Sequence, residues 1–326
     1  MSHQSTTRTG GTRRTITTIV AIIAAAAIAA GVVLYNRASD HHDGPLPVDL
    51  PQATASYLGV FTKGLPGSYA PVTAFTNATG AKPDVVMYYS GWYMPFPVSF
   101  ATTTANNGAV PLVQMDPDNV SVAAIAAGKY DGYLSEYAEA VRAYRHPVIL
   151  SFGHEMNGTW YRWGYTQTSP AVFRAAWRHI VTLFRALGAR NVTWLWTVNI
   201  INNAQGTKKI PNPGQWWPGS SYVTWVGIDG YYLKPTWKFA PLFGPTITAV
   251  KQLTTDPILI AETGAVPASG QPDKIADLFA GIRLYGLLGF VWFDATNRDH
   301  EHFGLSSPAA MAAFGKGAST FTRPGS

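Results

Sequence analysis

Short apolar or β-branched runs recur along the chain at residues 57–61, 84–92, 109–115, 147–152, 192–198, 223–231, 257–261 and 287–293, with starts 25 to 45 residues apart. Runs of this length bounded by glycine, proline and polar residues predict buried strands. Between several of them the period changes. Phe173, Trp177, Ile180, Phe184 and Leu187 are spaced four, three, four and three apart, the stripe of an amphipathic helix that Ser169-Pro170 starts and Gly188 ends. Similar signals fill 131–145 and 272–285, where Ile275, Leu278, Phe279 and Ile282 form one stripe. Strand and helix alternating eight times predict an α/β fold, a (β/α)8 TIM barrel in one domain over residues 56–326, with a doubly wound open sheet as runner-up. No glycine-rich dinucleotide or phosphate loop follows any strand, which weighs against the open sheet.

The N-terminus follows a different pattern. No residue from 15 to 36 is charged and 16–35 is almost wholly apolar, about the 20 residues a helix needs to cross a bilayer. Residues 1–14 carry Arg8, Arg13 and Arg14, while Asp40 and Asp43 follow the run. The positive-inside bias puts 1–14 in the cytoplasm as a basic tail and the rest of the chain outside. Residues 15–36 are therefore expected to be a transmembrane signal-anchor at the cell membrane. The alternative is a signal peptide cleaved near Ala27-Ile28-Ala29, with secretion of the remainder. Residues 37–55, interrupted by Pro45, Pro47 and Pro51, read as a short linker.

Charge changes meaning once it is divided along the chain. Four of the six net positive charges lie in residues 1–37, and the remainder is nearly balanced, so no basic footprint for nucleic acid remains. The absence of cysteine excludes a disulfide scaffold, a thiolate metal site and a cysteine nucleophile. With 47% hydrophobic and only 13% charged residues, the chain is neither disordered nor fibrous.

In a barrel of this kind the chemistry sits at the C-terminal ends of the strands. The chain has five glutamates. Glu136 and Glu139 lie on the polar side of a predicted helix, whereas Glu155 and Glu262 each follow directly on a buried run, at the ends of strands four and seven. A charge at the end of a core strand is costly unless it is paired or used. Two carboxyl groups on opposite sides of one mouth suggest glycoside hydrolysis, in which one protonates the departing oxygen and the other attacks carbon or activates water.

The aromatic residues point the same way. Trp92 and Tyr93 follow strand two, Trp160, Tyr161 and Trp163 follow strand four, Tyr231 ends strand six and Trp292 lies late in strand eight. Flat aromatic faces stack on pyranose rings. Trp194 and Trp196 alternate within a strand and read as core.

The segment Gly153-His154-Glu155-Met156-Asn157-Gly158-Thr159-Trp160-Tyr161-Arg162-Trp163-Gly164 resembles the acid/base motif of glycoside hydrolase family 26, the β-mannanase family. Residues 225–231 and 260–264 are similar to its strand-six and nucleophile segments, and Lys82-Pro83-Asp84, Ser90-Gly91-Trp92 and Tyr130-Asp131 fall where that family has similar residues. The resemblance spans about residues 56–305. It implies a retaining mechanism on a barrel, with Glu155 as acid/base and Glu262 as nucleophile. It further implies that His154 bonds near the sugar's 2-hydroxyl, that Trp160 lines the subsite at the cleaved bond, that Tyr231 bonds to the nucleophile and that Trp292 forms a sugar platform. Trp163 and Trp92 join these as expected substrate contacts.

The expected activity is thus endo-β-glycan hydrolysis, most directly endo-1,4-β-mannosidase action on mannan. The partner is a polysaccharide or oligosaccharide, and no metal or organic cofactor is expected. Phe293 stands where some mannan-cleaving members carry a basic residue, so mixed-linkage β-glucan and β-1,3-xylan remain alternatives. A non-catalytic glycan-binding surface protein is the alternative of another class. His41-His42-Asp43 and His300-Glu301-His302 lie in polar connecting segments without a fourth ligand at a supporting spacing and read as loop.

Overall fold

The computed structural model describes residues 50–201, 210–297 and 299–322. The predicted basic tail, the apolar segment 15–36, most of the linker and His41-His42-Asp43 lie outside the described residues. No described helix is long and apolar enough to cross a membrane.

The described strands are β1 (Tyr57–Thr62), β2 (Val85–Gly91), β3 (Val110–Asp116), β4 (Val148–Phe152), β5 (Val192–Asn199), β6 (Trp225–Asp229), β7 (Ile258–Thr263) and β8 (Gly289–Asp294). They are hydrogen-bonded in sequence order, all parallel, and β1 closes on β8. The described helices are α1 (Ala70–Thr79), α2 (Val98–Asn106), α3 (Val122–Ala126), α4 (Asp131–Tyr144), α5 (Pro170–Ala186), α6 (Phe239–Lys251), α7 (Gln271–Tyr285) and α8 (Pro308–Ala318). This is the (β/α)8 barrel that the alternating periods predict. Among the described residues the β5–β6 connection has two short 3-10 turns, Pro213–Trp216 and Ser220–Tyr222, in place of an α-helix. Trp216 of the first turn is buried, and Trp217 packs edge-on against Trp196, so this pair covers the barrel wall.

Helix α5 shows how the sequence sets an element. Ser169 caps it by accepting from the Val172 N–H, Pro170 occupies its first turn, and Phe173, Trp177, Ile180 and Phe184 are all buried. Its apolar stripe lies against the outside of the barrel, where Phe173 and Trp177 meet Phe152 of β4.

Side chains alternate across each strand and divide the apolar interior into two cores. Leu58, Val86, Val113, Leu150, Trp194, Val226, Ile260 and Phe290 belong to the core shared with the helices. Tyr57, Met87, Leu112, Ile149, Leu195, Trp225, Leu259 and Val291 fill the inside of the barrel. The inside is narrow: a Cβ on Gly227 would stand 2.5 Å from Thr197 Oγ1 and 2.9 Å from Ala261 Cβ, so only glycine fits there.

One strand breaks the alternation where it matters. Gly227 and Asp229 of β6 pair with Leu259 and Glu262 of β7, so β7 carries one residue more than its neighbour over that interval. The same excess appears against β8, where Ile260 and Thr263 pair with Phe290 and Trp292. A strict alternation from Leu259 would send Glu262 outward under the helices. The bulge lets Ala261 and Glu262 both face the barrel axis, and so aims the carboxylate into the mouth.

Candidate active site

The inward-facing residues at the strand ends form the floor of the mouth: Phe61, Tyr89, Asp116, Asn199, Asp229, Glu262 and Phe293, with His154 and Glu155 on the turn after β4. Glu262 is 7% exposed. One of its carboxylate oxygens accepts from the Tyr231 hydroxyl and the other from the Tyr89 hydroxyl. Burial first and then the charge of Glu262 raise both phenols well above their ordinary range, so both remain protonated donors.

Glu155 is also 7% exposed, and its backbone holds the left-handed value φ = 55°. Gly153 before it has φ = 55° as well, and a Cβ there would press on Phe173 and Trp163. A tight turn with two left-handed residues persists only when its surroundings fix it. Here the Glu155 N–H donates to the Thr197 carbonyl at 3.0 Å. Asn157 Nδ2 donates to the Asn199 carbonyl and its Oδ1 accepts from the Asn199 N–H, both at 2.8 Å, which clamps the turn to the end of β5. The Glu155 carboxylate then accepts from Asn199 Nδ2 on one oxygen and from the Trp160 indole N–H, at 2.5 Å, on the other.

His154 lies beneath the two glutamates and is fully buried. Its Nδ1 donates to Asp116 at 2.9 Å, and Nε2 is 3.0 Å from the Tyr161 hydroxyl. Burial alone pulls the imidazole down, but Asp116 and the nearby charges of Glu155 and Glu262 outweigh it and raise it from 6.5 to about 9. The ring is therefore an imidazolium at neutral pH, donating from both nitrogens. Because the folded value lies above the ordinary one, the pair contributes its full stability below about pH 6.5 and loses it as pH rises through about 9. Asp116→Asn is expected to lower the thermal midpoint by about 10 °C near pH 6 and by less than half of that near pH 10. Circular dichroism melts of both chains at the two pH values check this. An equal fall at both would show that the charge on His154 is not what Asp116 holds.

Charge in the floor is controlled from several sides. Burial first and the charge of Glu155 next raise the Glu262 carboxyl to about 7, against the lowering pull of His154 and the two phenols. Asp229, fully buried at the end of β6, has no hydrogen-bond partner for either carboxylate oxygen among the described residues. Burial, followed by Glu262, Glu155 and Asp116, raises it well above the carboxylate range, which opposes a further negative charge beside Glu262.

The expected aromatic contacts separate into two groups. Trp160 is 45% exposed and reaches the mouth, and Tyr231 reaches Glu262. Trp292 does not reach the mouth. Alternation along β8 turns it outward, where it is fully buried edge-on against Phe314 of α8. Phe293 takes the inward position and meets Phe61 at 4.8 Å in a near-parallel stack. Trp163 is 1% exposed; it stacks flat on Tyr161 at 4.3 Å and donates its indole N–H to the His154 carbonyl at 2.7 Å, so it supports the floor from below. Trp92 is 7% exposed and packs among Tyr130, Tyr133 and Phe152. Neither offers a free face to a sugar. His154 likewise has both ring nitrogens engaged within the protein. Asp116, Asn199, Asp229 and Tyr89 are the participants that a search for glutamates and tryptophans passes over.

Among the described residues no group of three or more histidine or acidic side chains could hold a metal ion. In the 300–302 segment Glu301 accepts from Asn297 Nδ2, and His302 meets the Thr296 hydroxyl. On the Glu155 side of the mouth a cavity of about 810 Å³ is lined by Trp160, Tyr161, Arg162, Gln167, Ser121 and Val172, among others.

The profile of the family described as Glycosyl hydrolase family 26 matches residues 126–276, a span that includes both glutamates. Endoglucanase H of Acetivibrio thermocellus is 32% identical over 267 residues, which cover 77% of this chain and 29% of that protein. A mannan endo-1,4-beta-mannosidase of Bifidobacterium adolescentis is 28% identical over 127 residues, 35% of this chain and 12% of that one. The chain thus spans under a third of the length of either relative. In fold it is similar to a modular endo-beta-1,4-mannanase from Cellulomonas fimi, with a TM-score of 0.64 at 18% identity, covering 81% of this chain and 71% of that structure. On the matched segment, the relatives and the barrel together, the chain belongs to glycosyl hydrolase family 26.

Proposed function

We propose that the chain hydrolyses internal β-linkages of a polysaccharide by double displacement. Glu262 attacks the anomeric carbon while Glu155 gives its proton to the departing oxygen. A glycosyl ester on Glu262 results, and Glu155 then takes a proton from the water that attacks it. The observation that carries this reading is the contrast between the two carboxylates on one floor. Glu262 is held by two hydroxyl donors, and the raised Asp229 carboxyl and the cationic His154 oppose further negative charge around it. Glu155 is held by an amide and by the indole of Trp160, a ring that also lines a wide cavity. In the reacting state Glu262 is ionised and the proton is on Glu155. The leaving half of the glycan is assigned to the cavity beside Trp160, because the proton must be delivered on that side.

Mannan is the first substrate proposed, on the motif resemblance and the relative named a mannan endo-1,4-beta-mannosidase. A glucan is the second reading, favoured by the longer match to a relative named Endoglucanase H and by Phe293 at the mouth. The test is release of reducing ends by the full chain from galactomannan, glucomannan, mixed-linkage β-glucan and β-1,3-xylan. Oligosaccharides from the first two alone support mannan, and oligosaccharides from the third alone support the glucan reading. Binding without release from any of them would overturn catalysis in favour of a glycan-binding surface protein.

We also propose that residues 15–36 anchor the barrel outside the cell membrane, on the uncharged run and the arginines before it. Full-length chain in the membrane fraction supports the anchor; a shortened chain in the medium supports a cleaved signal.

A further inference from the structure

Large apolar side chains left exposed on a folded chain mark contact surfaces when they cluster. Five are exposed among the described residues: Tyr93, Met94, Val98, Trp160 and Leu284. Four of these lie on the segments that follow β2 and β4, on the same face of the barrel as Glu155 and Glu262. Only Leu284, at the end of α7, lies elsewhere.

Tyr93 is the least expected of them. It is 61% exposed and its backbone holds φ = 70°, a conformation that a bulky side chain adopts at a cost and that glycine or asparagine adopts readily. The turn that imposes this conformation separates Tyr93 from its neighbour. Trp92 goes down into the core, and Tyr93 is thrown out over it. Its ring is nevertheless held. Tyr133 lies 5.4 Å from it and Tyr130 6.2 Å, both edge-on, and Trp92 packs under the same two rings. The Tyr133 hydroxyl donates to the Met94 carbonyl at 3.0 Å and pins the turn. An exposed ring on a pre-formed pedestal loses little freedom when a flat ligand stacks on it.

We propose that Tyr93, flanked by Met94, is a sugar-stacking platform outside the reaction centre, which holds a remote unit of the polysaccharide whose linkage is cut between Glu155 and Glu262. This rests on the polysaccharide reading above. The occupant is a pyranose of that same chain, because the platform lies on the same face of the barrel as Trp160 and Glu155 and because its exposed surface is aromatic and apolar. The structure thereby moves to Tyr93 the sugar contact that the sequence pattern assigns to Trp92.

Tyr93→Asn removes the ring and suits the left-handed backbone, and Tyr93→Trp keeps a stacking face. Against the cleaved polymer, kcat/KM of Tyr93→Asn is expected to fall about tenfold, the size of one aromatic stacking contact, and Tyr93→Trp to restore it. Against an aryl glycoside of one or two sugars, which does not reach the platform, both variants are expected to match the parent within about twofold. Polymer cleavage unchanged in Tyr93→Asn, or an equal fall on polymer and aryl glycoside, overturns the platform. Failure of the catalytic reading shows itself differently, as no cleavage of any polymer by the parent chain. In that event affinity electrophoresis in gels containing glucomannan or mixed-linkage β-glucan decides: less retardation of Tyr93→Asn than of the parent sustains the platform, and equal migration overturns it.

Discussion

Glu262→Ala is expected to reduce kcat/KM on the polysaccharide by about 10⁴-fold or more, some 5 kcal/mol of transition-state stabilisation, because the covalent step loses its nucleophile. The barrel should survive the change. Glu262 contributes no apolar contact to the inner core, and its removal leaves two phenols that need only find water in an opened mouth. The substitution leaves space for a small anion beside the Tyr89 and Tyr231 hydroxyls. Azide added with an activated aryl glycoside is expected to attack the anomeric carbon directly and to yield the glycosyl azide with inverted, α configuration. Glu262→Gln, which keeps the shape and removes the charge, should be equally inactive. Near-parental cleavage by either variant would remove Glu262 from the mechanism.

Glu155→Ala should fail in the opposite manner. A sugar alkoxide is a poor leaving group without a proton, so polymer cleavage is expected to fall about 10³- to 10⁴-fold. A dinitrophenolate needs no proton, so the first step on a dinitrophenyl glycoside should remain within a few-fold of the parent. Water without its base then attacks slowly, and the glycosyl ester on Glu262 should accumulate, giving a burst of dinitrophenolate followed by a slow steady rate. Azide attacks that ester without needing a base, so it should accelerate the slow phase and give the β-azide. Opposite azide configurations from the two variants separate the roles of two glutamates that have the same exposure and the same number of donors.

The barrel is legible in the sequence because its strands are short apolar runs and its helices carry a 3.6-residue stripe, as 173–187 does. What is not legible is the phase of each strand. A barrel strand is buried on both faces, so apolar residues alternate with apolar residues and nothing distinguishes inward from outward. That is why Trp292, the larger ring, reads as the platform when Phe293 holds the inward position. The bulge in β7 is hidden for the same reason: Ile258-Leu259-Ile260-Ala261 gives no sign that the next residue will break the alternation. Glu262 is found from its place at a strand end, not from its facing.

That positional rule reaches further than glutamates. Asp116, Asn199 and Asp229 each close a buried strand, Glu262 lies one residue before the end of β7 and Glu155 on the turn after β4, and all share one floor. Trp163 and Trp92 mislead for another reason. Both sit near residues that do reach the surface, Trp160 and Tyr93, and which ring reaches it depends on backbone angles that the sequence does not display. For Tyr93 that angle is a positive φ at a residue that does not favour it.

A covalent intermediate on Glu262 fixes the configuration of the reducing end first released from the cleaved polymer, which proton NMR follows from the earliest minutes of hydrolysis. Double displacement releases the β anomer first, and the α anomer is expected only later by mutarotation. The α anomer appearing first would mean single displacement by water, and would contradict the assignment of Glu262 as nucleophile.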